Sequence, residues 1–128
     1  MSSQCADHAD LMNGCEQIER TNGLWYWAEY STFSITDEAS QYVNTMNGYS
    51  GNAQNAVQQS WNGAWKTNGM KFTTPDRDND NAPRNCGSGG GWWHNWCGAA
   101  NLNGDTIVVW KSNAVRDVQR SRMLLKLN

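Results

Sequence analysis

Three aspartates at alternate positions form the segment of this sequence best suited to hold a cation. Asp76, Asp78 and Asp80 lie within the run that ends at Asn81. In an extended or looped backbone their carboxylates point the same way and repel one another, so a bound cation would stabilise them. An EF-hand loop is excluded, because its glycine position holds Asn81 and its final glutamate position holds Gly87. The run predicts a Ca²⁺ site, and the alternative is a solvated acidic turn balanced by neighbouring arginines.

The four cysteines are the second group that can do chemistry. Cys5, Cys15, Cys86 and Cys97 form an even set, which favours disulfides, and pairing Cys5 with Cys15 and Cys86 with Cys97 is the simplest of three arrangements. A zinc site built from all four is the first alternative, although neither pair has the short spacing of a zinc knuckle. Free thiols in an intracellular protein are the second alternative.

Aromatic side chains fill the segment between the last two cysteines. Trp92, Trp93 and Trp96 have large apolar faces and N–H donors that suit sugar stacking, while His94 and Asn95 can form hydrogen bonds. Paired tryptophans more often fill a core, so we expect Trp92 and Trp93 to be mainly structural. Trp96 is the better surface candidate.

Composition limits the classes of function. A chain of 128 residues predicts one domain with one core. Its net charge of -2 offers no basic surface, so we expect neither nucleic acid nor an anionic membrane as a partner. No apolar stretch is long enough to cross a bilayer, and the first residues lack the pattern of a signal peptide, which a secreted form would already have lost. His8 and His94 lie in no nucleophile or metal motif, so we predict no catalytic residues and no enzyme activity.

The elements that must position these groups are mainly strands and loops. The pattern predicts a small antiparallel sheet with short helices and a loop-rich subdomain stabilised by calcium and a disulfide, which is the α+β class. Residues 24–35 predict two strands or one bent strand, and residues 53–60 a short helix. Further strands are predicted at 41–46, ended by a turn at Asn47-Gly48, and at 70–72, 106–110 and 121–127.

Several short motifs, taken in order, resemble a fibrinogen-related domain, the family of fibrinogen chain ends, ficolins and tachylectins. They are Ala-Glu-Tyr-Ser-Thr-Phe at 28–33, Gly-Tyr-Ser-Gly-Asn-Ala at 48–53, Asn-Gly-Met-Lys-Phe at 68–72, the aspartate run at 76–81, Gly-Trp-Trp at 91–93 and Asn-Leu-Asn-Gly at 101–104. The resemblance implies a shortened fibrinogen-like domain at 16–128. The stub at 1–15 before it would be closed by a Cys5–Cys15 disulfide.

The resemblance also assigns a calcium site. It implies that Asp78 and Asp80 supply carboxylates and that Ala82 and Arg84 supply backbone carbonyls, with Asp76 nearby and not a ligand. Calcium would then be the cofactor of a secreted, extracellular domain.

By the same resemblance, the family's C-terminal disulfide is Cys86–Cys97, and a cis peptide bond joins Trp96 to Cys97 beside a pocket for glycans or acetylated groups. Gly98 stands where acetyl-binding members have a histidine, and two tyrosines of the usual pocket are absent. The predicted ligand-binding residues are therefore Trp92, His94, Asn95, Trp96, Cys97 and Gly98.

Two function classes follow from these expectations. The first is a calcium-dependent lectin or pattern-recognition module of innate immunity, which would need several copies, for example a homo-oligomer, to reach useful avidity. The second is a protein-interaction or structural module in which calcium serves stability only and the glycan pocket is lost.

Overall fold

A computed structural model describes residues 13–58, 63–104, 108–112 and 117–126. Within these ranges the chain forms six strands and three short 3₁₀ turns, and no helix there has the length and apolar character to cross a membrane. The strands are β1 (Asn13–Arg20), β2 (Trp25–Ile35), β3 (Asn44–Gly51), β4 (Ala100–Asn101), β5 (Val109–Trp110) and β6 (Val118–Lys126). The 3₁₀ turns are Ala56–Gln58, Gly63–Trp65 and Cys86–Gly89.

Four strands form one antiparallel sheet in the order β3-β2-β1-β6, and β4 pairs with β5 separately. A tight turn joins β1 to β2, where Gly23 takes a φ of +84° and the Leu24 N–H donates to Asn22 Oδ1 at 3.0 Å. The register places Glu16 between Ala28 of β2 and Met123 of β6. The small antiparallel sheet is therefore confirmed, and its centre is the β1–β2 hairpin.

The core lies between one face of this sheet and the loops of the second half of the chain. Tyr30, Phe33 and Met46 come from the sheet, and Trp92 and Trp93 come from the loops. The Trp93 ring meets the Phe33 ring edge-on at 6.1 Å between centroids and the Trp92 ring at 5.1 Å, which is favourable aromatic geometry. The expectation that Trp92 and Trp93 are mainly structural is confirmed by their burial.

The core also contains a carboxyl group. The Glu16 side chain is fully buried, and both carboxyl oxygens lack a hydrogen-bond partner among the described residues. Burial raises the pKa of Glu16 to about 8. Burial also raises the pKa of the Tyr30 hydroxyl, and the nearby Glu16 charge raises it further. The Tyr30 hydroxyl itself donates to Asn55 Oδ1 at 2.8 Å.

Several predicted elements differ from the observed ones. The strand predicted at 41–46 begins at Asn44 and continues to Gly51, so the predicted turn at Asn47-Gly48 is wrong. Gly48 takes a φ of +73° within this strand, so glycine there permits an irregular backbone without ending the strand. The helix predicted at 53–60 is reduced to the 3₁₀ turn Ala56–Gln58, and residues 59 and 60 lie outside the described part. The described residues contain no α-helix, so this part of the chain is mostly sheet and loops and not the predicted α+β class.

Two other strand predictions are corrected. Residues 70–72 form no strand, because the Asn44 side chain accepts hydrogen bonds from the N–H groups of Gly69 and Met70, at 2.7 and 3.1 Å, and holds a turn there. The strand predicted at 106–110 is reduced to Val109–Trp110, with residues 106 and 107 outside the described ranges. The strand predicted at 121–127 begins earlier, at Val118, and β2 is one continuous strand.

Candidate functional site

The disulfide between Cys86 and Cys97 closes the loop that carries the aromatic segment. The two Cα atoms lie 5.1 Å apart, and the bond closes a separation of eleven residues. A loop of this size gains on the order of 3 kcal/mol of stability when it is closed. Cys15 is also disulfide-bonded, whereas Cys5, its expected partner, lies outside the described residues. The Cys86–Cys97 pairing is therefore confirmed, and the described part of the chain has no free cysteine.

The aspartate run forms a tight loop in which carboxylates bind backbone amides. The Asp80 N–H donates to Asp78 Oδ1 at 3.2 Å, and the Ala82 N–H donates to Asp80 Oδ1 at 3.0 Å. The second Asp80 oxygen accepts the Cys86 N–H at 2.8 Å. Asp80 thus connects the aspartate run to the start of the disulfide loop.

Asp76 has a different role from the two aspartates that follow it. Its Oδ1 accepts the Thr74 hydroxyl at 2.7 Å, and this hydrogen bond lowers the pKa of the Asp76 carboxyl. The adjoining turn is closed by backbone hydrogen bonds between Thr74 and Arg77. Asp76 therefore stabilises the turn at the start of the aspartate run.

The donor chemistry of this loop fits a hard cation. Asp78 and Asp80 supply carboxylate oxygens. An oxygen that accepts one hydrogen bond from a backbone N–H group still has a lone pair for a cation. Among the described residues, no three His, Cys, Asp or Glu side chains lie close enough to form a metal cluster. A cation here would therefore need backbone carbonyls, for which Ala82 and Arg84 are the predicted donors, and water molecules. Two carboxylates with carbonyls and water match calcium better than magnesium or zinc.

An asparagine pair joins the aspartate run to the aromatic segment. The Asn81 N–H donates to the Asn95 carbonyl at 3.1 Å, and its side-chain amide donates to Asn95 Oδ1 at 2.8 Å. The Asn95 amide in turn donates to the carbonyls of Gly63 and Lys66, both at 2.9 Å. Asn95 is a structural connector, and its partner Asn81 was not among the predicted site residues. The only sequence signal was the position of Asn81 directly after the third aspartate.

His94 and Trp92 are also turned into the protein. His94 is buried, with Nδ1 3.2 Å from the Cys97 carbonyl oxygen and Nε2 3.3 Å from the Gly90 carbonyl oxygen. Trp92 is only 5% exposed, and its Nε1 has no hydrogen-bond partner in the described part of the chain. Three predicted ligand-binding side chains, Trp92, His94 and Asn95, thus contact the interior.

Trp96 is the exception, because 51% of its surface is exposed. Its backbone is nevertheless held, since the Trp96 N–H donates to the Ala64 carbonyl at 3.1 Å. The described residues contain no cis peptide bond, so the expected cis bond from Trp96 to Cys97 is not observed. Cys97 instead adopts a φ of +53° and donates its N–H to Cys86 Sγ at 3.1 Å.

Two further residues lie next to Cys97: Gly98 follows it in the chain, and Arg84 contacts its sulfur atom. Gly98 has a φ of +95°, and a Cβ atom there would lie 2.4 Å from Thr67 Cγ2, so only glycine fits without a shift. The Arg84 guanidinium is exposed and contacts Cys97 Sγ at 3.3 Å. The surface beside Trp96 therefore combines an aromatic face with a positive charge on a disulfide-closed loop.

Comparisons with known proteins identify the family to which this fold and its disulfide loop belong. The sequence profile of the C-terminal globular domain of fibrinogen beta and gamma chains matches residues 9–119. The chain is 39% identical over 102 residues to the fibrinogen beta chain of Gallus gallus, which covers 69% of this chain and 22% of that protein. It is 41% identical over 103 residues to fibrinogen-like protein 1 of Rattus norvegicus, covering 66% of this chain and 32% of that protein.

Solved structures agree with this match. The fibrinogen-like globe domain of human ANGPTL2 superposes with a TM-score of 0.75 at 28% identity, covering 91% of this chain and 58% of that one. A lamprey fibrin D-dimer with the peptide Gly-His-Arg-Pro-amide gives a TM-score of 0.79 at 24% identity, covering 89% and 44%. The chain thus spans less than a third of these curated relatives and about half of these solved chains. It belongs to the fibrinogen C-terminal domain family.

Proposed function

We propose that this domain is an extracellular module that binds proteins or peptides through the surface around Trp96. The observation that carries the proposal is the exposure of Trp96 directly after four buried residues, 92–95, of the disulfide loop. An exposed tryptophan on a rigid backbone is typical of an interaction hot spot, because little conformational entropy is lost when a partner covers it. The Arg84 guanidinium, which contacts Sγ of the neighbouring Cys97, would add a charged group to this surface.

We propose that calcium stabilises this surface without contacting the ligand. Asp78, Asp80 and the carbonyls of Ala82 and Arg84 would hold the ion, and the Asp80 bond to the Cys86 N–H would transmit its effect to the disulfide loop. A site with only two carboxylates should bind calcium weakly, with a dissociation constant on the order of 0.1 to 1 mM, as in other extracellular calcium modules.

The disulfides support a secreted protein, because disulfides persist in oxidising compartments.

A glycan ligand is the second candidate function, and the exposed indole face of Trp96 supports it as well. Sugars stack on such faces through their C–H groups. The hydrogen-bonding part of the predicted glycan site is weaker, because the side chains of His94 and Asn95 already bind backbone carbonyls. This internal use of the polar groups makes a protein or peptide ligand the better supported class.

A binding screen separates the two candidates. The domain would be tested against a displayed peptide library and a glycan array, each with calcium and with EDTA. We expect enriched peptides whose affinity falls at least 10-fold in Trp96→Ala, since a hot-spot side chain contributes about 2 kcal/mol or more. Leu24→Ala is the matched control, because Leu24 is also a well exposed apolar residue, at the β1–β2 turn.

The outcomes assign the function. Glycan binding that depends on Trp96, without peptide binding, would support the lectin candidate in place of the peptide-binding one. Peptide binding that is unchanged in Trp96→Ala would refute the proposed surface. Thermal unfolding of both variants verifies that the fold is intact, and we expect little change, because both side chains are exposed.

A further inference from the structure

β6 lies at the edge of the four-stranded sheet. It pairs with β1 on one side, and within the described residues the sheet order β3-β2-β1-β6 ends with it. Its nine residues present a row of backbone N–H and C=O groups on the other side. The edge of a sheet can accept an additional strand whose side chains complement those of the edge strand.

The two faces of β6 differ in chemistry. On one face Met123 packs against the core, and Leu125 beside it is 53% exposed. On the other face Arg122 stacks over the Trp25 ring, 4.7 Å from its centroid, and the Arg120 side chain is 69% exposed although it also binds Glu19. An added strand would therefore meet apolar side chains on one face, and two arginines followed by the 43% exposed Leu124 on the other.

A cavity adjoins the apolar face of this edge. It has a volume of about 330 Å³, and its lining is mainly apolar, with Phe72, Trp92, Trp93, Leu102 and Met123, but also includes Gly91, Asn103, Ser121 and Arg122. Such a volume accommodates an apolar side chain of a partner. Trp92 lines this cavity, and its buried Nε1 group has no hydrogen-bond partner in the described ranges. This unsatisfied donor is an observation independent of the exposed edge.

Charge argues against a second copy of β6 as the added strand. Residues 118–126 contain Arg120, Arg122 and Lys126 and no acidic residue. In a twofold antiparallel pair centred on Leu124, Arg122 would face Lys126 of the other copy, and a pair centred on Arg122 would place that residue opposite itself. Like charges directly opposite one another destabilise a sheet. An acidic partner avoids this repulsion.

We propose that β6 binds, by strand addition, an extended segment of another protein and that the adjoining cavity takes part in this binding. In that segment acidic residues alternate with apolar residues. The acidic side chains lie on the face of Arg120 and Arg122. The apolar side chains lie beside Met123 and Leu125, and one of them enters the cavity. This surface includes Trp92 and Trp93 of the disulfide loop but not the exposed Trp96, and it does not depend on the function proposed there.

The test uses three fluorescein-labelled nine-residue peptides and measures fluorescence anisotropy with the whole chain. The first alternates leucine and glutamate, the second alternates leucine and lysine, and the third has the leucines and glutamates in pairs. We expect the first to bind at least 10-fold more tightly than the other two. Methylation of alternate backbone nitrogens on the pairing side of the first peptide should abolish its binding, because strand addition requires those N–H groups.

Variants of the protein identify the edge. Arg122→Glu should weaken the acidic peptide at least 10-fold and strengthen the lysine peptide, whereas Ser50→Glu, on the opposite edge strand β3, should change neither. If the charge reversal disturbs folding, Arg122→Gln replaces it as the test variant. It should change the two peptide affinities in the same directions, but by less.

Three results would overturn the proposal. They are equal binding of the alternating and paired peptides, unaltered binding of the acidic peptide in both Arg122 variants, and binding that survives backbone methylation. A dimer in sedimentation analysis that Leu124→Lys dissociates would assign the edge to a second copy instead.

Discussion

The buried Glu16 carboxyl predicts that the domain becomes less stable as the pH rises through neutrality. The pKa of Glu16 is about 8 in the folded chain and has its ordinary value of 4.5 in the unfolded chain. Between these values the folded state binds the proton more tightly, so the free energy of unfolding falls with pH by up to about 1.4 kcal/mol per pH unit. Below pH 4.5 both states are protonated, and above pH 8 the loss is complete.

The size of the loss follows from the pKa difference. Full ionisation of Glu16 in the folded state corresponds to a loss of about 5 kcal/mol, an upper value because relaxation of the surroundings would reduce it. Such a loss is a large part of the stability of a domain of this size. The cause is desolvation, since Glu16 is fully buried and its carboxyl oxygens lack hydrogen-bond partners in the described residues.

Glu16→Gln tests this reasoning. Glutamine has nearly the same shape but does not titrate, so the variant should lose the decline between pH 5 and pH 8, whatever its absolute stability. The measurement is urea unfolding followed by tryptophan fluorescence at one-unit intervals from pH 5 to pH 9. A wild-type curve without a decline over this range, or an equal decline in Glu16→Gln, would refute the reasoning.

Glu19→Gln, on the same strand, is the control for this experiment. The hydrogen bond from Arg120 lowers the pKa of Glu19, so its carboxylate stabilises the folded state above its ordinary pKa of 4.5 and loses that effect as the pH falls. Its replacement should therefore leave the decline between pH 5 and pH 8 intact.

The remaining predictions concern the loops and a glycine. With about 10 mM calcium, a site with a dissociation constant near 1 mM adds about 1.4 kcal/mol, so the midpoint of thermal unfolding should rise by about 4 °C. Asp78→Asn should abolish this rise and Asp76→Asn should keep it; an equal rise in both would contradict the assignment. The Cys86→Ser, Cys97→Ser double variant should lose about 3 kcal/mol in urea unfolding, and an unchanged midpoint would contradict this estimate. Gly51→Ala should cost at least 1 kcal/mol more than Gly23→Ala, because its Cβ would lie 2.3 Å from the Trp27 carbonyl oxygen whereas Gly23 has open space. Equal costs would show that the backbone yields there.

Much of the scaffold was predictable because its signals are local. The aromatic and β-branched pattern at 24–35 predicted β2, and the apolar residues near the end of the chain predicted most of β6. The short spacing of Cys86 and Cys97 suggested their disulfide before the resemblance assigned it. The ordered motifs were sufficient to identify the family, which the profile match confirms.

β1 was not predicted because its sequence is polar. Glu16, Gln17 and Glu19 give no strand pattern, and the segment becomes a strand because β2 and β6 supply hydrogen bonds on both sides. β6 lies far from β1 along the chain, so no local sequence pattern could reveal this pairing.

The sequence alone thus determined the family and the disulfide loop, and it suggested the aspartates that we propose as calcium ligands, because each depends on residue types at short spacing. The tertiary structure decided which of those residues face outward. It directed His94 and Asn95 toward backbone carbonyls, left Trp96 exposed, and placed Glu16 in the core. The physical reason is that burial depends on segments far apart in the chain, as do the Asn95 partners Gly63 and Lys66, and only the folded structure brings these together; even the nearby carbonyls that His94 contacts depend on the folded loop.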